Sequence, residues 1–163
     1  MAGVGVSEHQ GGIVNRIPPP VTLARVLLLL IALSHVAIPV VMWLRKGEIA
    51  QEIAAQHPEV SVAAATTAAL VAAAVFHGVL FVVNGWLAWI VPSGRRWTRW
   101  VVTGVQVAAV GFGFVSWGSS GMFHLVIPVV DVVAVGVIGL LWLPKGPRGF
   151  FARRSADTAA GSG

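Results

Sequence analysis

Cysteine is absent from the 163 residues. That excludes disulfides, thiolate metal sites and cysteine nucleophiles, and it leaves the redox compartment unread. Charge is scarce as well: Asp, Glu, Lys and Arg make up 10% of the chain, against about 25% in a soluble globular domain. So few charges cannot cover a water-exposed surface, so lipid must cover part of it. The net charge of +5 does not point to nucleic acid. A nucleic-acid binder gathers its cations on a folded polar face, whereas these sit at the ends of apolar runs, where Lys and Arg set membrane topology. No glycine-rich phosphate loop ending in Lys-Ser or Lys-Thr occurs, and no Gly-x-Ser-x-Gly elbow. Gly111-Phe-Gly113 lies inside an apolar run and lacks a βαβ unit. The polar segments are too short for a catalytic domain, so the chain is read as a non-enzyme.

What is present is long apolar sequence: 56% of the residues are hydrophobic. A spanning helix needs about 20 mostly apolar residues. Four segments qualify, at about 26–44, 62–91, 100–117 and 123–143. The first is too long for a signal-peptide core and has no small-x-small site after it, so it reads as an uncleaved span. Pro92-Ser93-Gly94 breaks span two from span three. Residues 118–122 can only turn tightly, and Pro144-Lys145-Gly146-Pro147 ends span four. The expected fold is an all-α, antiparallel four-helix transmembrane bundle with short loops. A flexible arm (1–19) precedes the membrane domain (20–147), and a basic, disordered tail (148–163) follows it. Between spans one and two, residues 47–58 read either as a short helix on the outer surface or as an extension of span two broken at Pro58.

Cation placement orients the spans. Arg16, Arg25, Arg95, Arg96, Arg99, Lys145, Arg148, Arg153 and Arg154 fall on one side of a four-span topology, and only Arg45 and Lys46 on the other. The positive-inside rule makes the first side cytoplasmic, with both termini. Trp86, Trp89, Trp97, Trp100 and Trp142 lie toward that edge and Trp43 and Trp117 toward the outer one, as an interfacial aromatic belt requires.

Polar side chains inside spans are costly, and each is a functional hypothesis. His35, His77, Asp131 and Gln106 each lie within about a turn of the middle of their span, so the four helices can contribute to one polar layer. His124 and Asn84 are peripheral. Alone in lipid these groups would lack partners, whereas together they satisfy one another. Three readings stay open. The layer is a hydrogen-bonded plug that fixes helix register, a proton or cation pathway, or a metal site with haem between two histidines or zinc on His and Asp. No HxxxH or ExxH spacing supports the third, and no cofactor is expected. Pro39 and Pro128 each remove the N–H that would bond the carbonyl of His35 and His124, respectively. Ala74, Gly78, Gly104 and Ala108 are small enough for spans two and three to pack closely through them. A dimer face is the alternative use of those residues.

The segments Trp86-Leu-Ala-Trp89-Ile-Val-Pro-Ser-Gly-Arg-Arg-Trp97-Thr-Arg-Trp100 and Leu140-Leu-Trp-Leu-Pro144-Lys-Gly-Pro147-Arg-Gly-Phe150-Phe resemble those of small, uncharacterised four-helix membrane proteins of actinobacteria. The resemblance covers spans two to four and implies a bacterial plasma membrane with no known activity. The chain does not resemble the small multidrug transporters, whose membrane carboxylate is in the first span; here that span holds His35.

The expectation is therefore a multi-pass plasma-membrane protein, acting as a non-enzymatic accessory or interaction component. The alternative is a small transporter or proton- or cation-coupled protein using His35, His77 and Asp131. Its partners are the lipid bilayer and either another membrane protein or a second copy of the chain.

Overall fold

A computed structural model describes residues 16–116 and 123–160. All elements in them are helical: α1 (Pro19–Leu44), α2 (Lys46–Gln56), α3 (Val62–Ile90), a 3-10 turn (Val91–Ser93), α4 (Arg96–Ser116), α5 (Phe123–Trp142) and α6 (Lys145–Ala160). Three candidate spans (α1, α3 with its turn, and α4) are long and apolar enough to cross a membrane. The pair α5–α6, bent by 64°, adds a fourth if it counts as one span. This is compatible with a membrane protein. The expected turn at 118–122 and Trp117 lie outside the described residues.

The helix ends follow local chemistry. α1 begins earlier than its apolar run because Pro19 and Pro20 occupy its first two positions, where proline's fixed φ suits the helix and no N–H is needed. The 3-10 turn closes on Gly94 at φ 71°, a left-handed conformation that glycine adopts without a Cβ penalty. Residues 47–58 are not continuous with α3. α2 ends at Gln56 and folds against α3 and the end of α1, with Ile49 and Ile53 half-buried.

The tail is the main correction. Residues 148–160 are not disordered but form most of α6. Pro147 falls in its first turn, where the missing donor has no intrahelical role. Phe150 and Phe151 are 3% and 0% exposed, so apolar burial holds the helix on the bundle. A methyl group at Gly146 would meet Pro18 at 3.7 Å, which seats the start of α6 on the start of α1.

Each long helix buries one stripe. On α1 it is Val21, Ala24, Leu28, Ile31 and His35, the three-and-four spacing of one helical face. Leu87 and Val91 continue it on the α3 side, Val102 on α4, and Ala134, Val137 and Leu141 on α5. α1 lies between α3 and α5, and α4 packs on α5. The buried core gathers at the end that carries the Val91–Ser93 turn and α6. Large apolar side chains elsewhere stand exposed, such as Leu33 at 60% and Val115 at 83%. Contiguous apolar surface of that extent marks contact with lipid or another protein.

Spans two and three do not meet through their small residues. Ala74, Gly78, Gly104 and Ala108 are all exposed, and a Cβ added at Gly78 or Gly104 would meet nothing within 4 Å. The bulky pair Phe76 and Phe112, with ring centroids 4.8 Å apart, bridges the two helices. The small residues lie off the buried stripes. Gly104→Leu and Ala108→Leu should therefore leave stability within about 0.5 kcal/mol of wild type, as for other surface changes. Gly113 on the same helix is buried, and a Cβ there would sit 3.0 Å from Ile127 Cγ2 and 3.2 Å from both Asp131 carboxylate oxygens. Gly113→Leu should overpack this contact and cost about 1–2 kcal/mol. Thermal unfolding in detergent distinguishes the two outcomes, and equal melting temperatures for all three variants would refute this packing.

Candidate functional site

Away from the buried core, the bundle opens into a cleft of about 670 Å³ bounded by α1, α3, α4 and α5. Its walls are mainly aliphatic and aromatic, among them Ile38, Leu80, Phe112 and Ile127. Four polar side chains reach it: His35, His77, Gln106 and Asp131.

Their placement follows from the stripes. His35 is one step beyond Ile31 on the α1 stripe and is 8% exposed. His77 stands seven residues before Asn84, two turns away on one face of α3. The two imidazoles meet across the helices, Nδ1 to Nδ1 at 3.1 Å, with ring centroids 5.3 Å apart. One ring must donate and the other accept, so when both are neutral they are opposite tautomers. Phe76 lies edge-on to His77 at 5.4 Å between centroids, which confines that ring.

Gln106 does not join the histidines. Its Nε2 donates to Asn84 Oδ1 at 3.0 Å, and Asn84 Nδ2 donates to the Leu80 carbonyl at 2.9 Å. Both side chains are almost fully buried, 1% and 2% exposed. They form a second polar pair, one that ties α3 to α4. Asn84, read as peripheral, is thus the buried partner of Gln106. The signal available in the sequence was the step of seven from His77.

Asp131 stands on the α5 stripe one turn before Ala134. It reaches toward α4 because Gly113 has no side chain. It makes no ion pair with either imidazole, and among the described residues it has no hydrogen-bond or ion-pair partner. His124 is exposed at the start of α5 and is not part of the cleft wall. Among the described residues no group of three or more His, Asp or Glu side chains is placed to hold a metal ion.

The arrangement is an apolar cleft with a hydrogen-bonded imidazole pair and a lone carboxylate in its walls. Such a site can bury an apolar body while reading one polar or charged group on it. No protein-family model matches the chain, and neither does any curated protein or solved structure.

Proposed function

We propose that the chain is a non-enzymatic, four-span plasma-membrane protein whose cleft binds a small, mostly apolar molecule carrying a positive charge, as the binding element of a small transporter would. Span order and charge support the placement. Contacts pair Phe76 with Phe112, Asn84 with Gln106 and Trp86 with Trp97. Position falls on α3 as it rises on α4, as in antiparallel neighbours. The cation bias described above puts both termini in the cytoplasm.

The observation that carries the functional reading is Asp131, an unpaired carboxylate facing a mostly apolar cleft. A carboxylate within a span is expensive unless a cation or donor compensates it. The His35–His77 pair offers a ring N–H and a lone pair to a second polar group on the same molecule. A passive plug would consume its polar groups internally, as Asn84 and Gln106 do.

The test is binding of tetraphenylphosphonium, a lipophilic cation, to the purified protein in detergent. Saturable binding is expected. Asp131→Asn keeps shape and removes charge, and should weaken binding about tenfold or more. A charge pair at 4 Å is worth about 4 kcal/mol at an effective dielectric of about 20. Partial exposure of the carboxylate reduces that figure, and about 1.4 kcal/mol is enough for tenfold. Ala109→Trp should also block binding by filling the cleft. An absence of saturable binding, or equal affinity in Asp131→Asn, would defeat this reading and favour an accessory role.

A further inference from the structure

The second concentration of unusual chemistry lies at the opposite end of the bundle, around Trp142. Its indole Nε1 donates to Thr103 Oγ1 at 2.8 Å. The edge-on ring of Trp100 stands 4.6 Å away between centroids. The indole face carries the Arg99 guanidinium, its Cζ 3.9 Å from the ring centroid, and Phe151 lies 5.4 Å from the same cation. The backbone carbonyl of Trp142 accepts a 2.7 Å hydrogen bond from Arg148 Nε. One residue thus holds two guanidinium groups, from α4 and from α6. Arg96 is three residues before Arg99, on the same face of α4. Burial, and after it like-charge repulsion from Arg148 and Arg96, acts on Arg99.

No acidic side chain among the described residues pairs with this positive charge. The ion pairs among the described residues are Arg45–Glu48 and His57–Glu59, both at the other end. Arg99 Nε is buried, yet it has no hydrogen-bond partner among the described residues. A donor buried without an acceptor costs about 1–3 kcal/mol, more for a charged group. The first turn of α4 adds the positive end of a helix dipole and contains no acidic residue. The uncompensated charge and the helix dipole call for an anion with several acceptor oxygens. Phosphate fits, because guanidinium forks match its geometry.

We propose that Arg96, Arg99 and Arg148 form a binding site for the phosphate of an anionic phospholipid in the cytoplasmic leaflet. The source is a lipid rather than a soluble phosphate because of the surroundings. Trp86, Trp97 and Trp100, all on this end, are 48%, 44% and 66% exposed. Exposed tryptophans at a span edge sit at the level of the lipid headgroups, so a phosphate group is at hand at the height of the arginines. The exposed apolar faces of α3 and α4 below them can carry acyl chains. Bound lipid would brace α6 against α4, since Arg148 belongs to one and Arg96 and Arg99 to the other. This site rests on the membrane placement proposed above but is independent of the Asp131 cleft.

The experiment is thermal unfolding of the full chain in a neutral detergent. Phosphatidylglycerol, phosphatidylcholine or inorganic phosphate is added in titration. Phosphatidylglycerol should raise the melting temperature saturably, whereas phosphatidylcholine and inorganic phosphate at the same concentration should not. Arg148→Gln and Arg96→Gln remove exposed side chains and should leave the fold intact. Each should weaken the apparent lipid affinity about fivefold, corresponding to about 1 kcal/mol for a cation at an anionic membrane surface. Arg99→Lys keeps the charge but loses the planar stack, and should weaken it as well. Arg45→Gln, at the other end, should change nothing. Equal stabilisation by phosphatidylcholine, or an unchanged phosphatidylglycerol response in all three site variants, would overturn the site. A response to inorganic phosphate as large as that to phosphatidylglycerol would overturn its assignment to lipid. Tetraphenylphosphonium binding in the same variants should be unchanged, which separates failure here from failure at Asp131.

Discussion

Phe151→Ala is expected to destabilise the protein by about 3–5 kcal/mol, the range for truncating a fully buried aromatic side chain. Phe151 is 0% exposed and belongs to the same buried cluster as Leu28, Leu87 and Leu141. It also contacts the ring of Phe150 and the guanidinium of Arg99. The truncation therefore removes packing among α6, α4 and the bundle core at once. Phe151→Leu keeps most of the volume and should cost much less. Two measurements check this. Thermal unfolding in detergent gives the stability change. Limited trypsin digestion reads the docking of α6, because the backbone at Arg148 becomes cleavable once the helix detaches and unfolds. A variant with wild-type melting temperature and wild-type trypsin resistance would show that α6 contributes no packing.

Much of the helix framework was legible because apolar run length is a strong signal. The 3-10 turn at Val91–Ser93 falls where Pro92-Ser93-Gly94 marks a break, and α3 begins at the first residue of its apolar run. α6 was not legible because its residues are polar on average: Arg148, Arg153, Arg154, Ser155 and Asp157 dominate. The decisive feature is two adjacent phenylalanines, and periodicity carries no weight over two positions. The site was legible in part. Depth arguments named His35 and His77, which do share a hydrogen bond. Depth says nothing about rotation around the helix axis, however. Rotation turns Gln106 to Asn84 and Asp131 toward Gly113.

The small residues teach the same point. Gly104 and Ala108 form a small-x-x-x-small pair, but so does almost any stretch of so Ala- and Gly-rich a sequence. The buried face of α4 is instead the row Thr98, Val102 and Gln106, in which volume and polarity matter more than smallness. The two sites also divide the bundle's ends between them. The buried core fills the interior at the α6 end, so a ligand there binds on the surface, while Phe76 and Phe112 hold α3 and α4 apart at the cleft. That separation requires a polar contact between the helices to fix their spacing, and Asn84 with Gln106 supplies it.

Asn84→Leu should accordingly destabilise the bundle by about 2–3 kcal/mol, through what it leaves behind rather than through the bond it removes. Interhelical hydrogen bonds in bilayers are worth about 0.6 kcal/mol on average, a small loss. The larger cost is the Gln106 amide, 1% exposed, whose Nε2 donors lose their acceptor in an apolar setting; an orphaned buried donor costs about 1–3 kcal/mol. The Leu80 carbonyl suffers little, since it keeps its helical partner when Asn84 Nδ2 is removed. This origin makes a specific demand on the double variant. Asn84→Leu with Gln106→Leu removes both polar groups, so no donor is stranded, and most of the lost stability should return. The coupling energy of that double-mutant cycle, measured by unfolding in detergent, should therefore exceed 1 kcal/mol in magnitude and favour the double variant. Additive losses would mean that each amide is satisfied without the other. The pair would then not be what spaces α3 from α4.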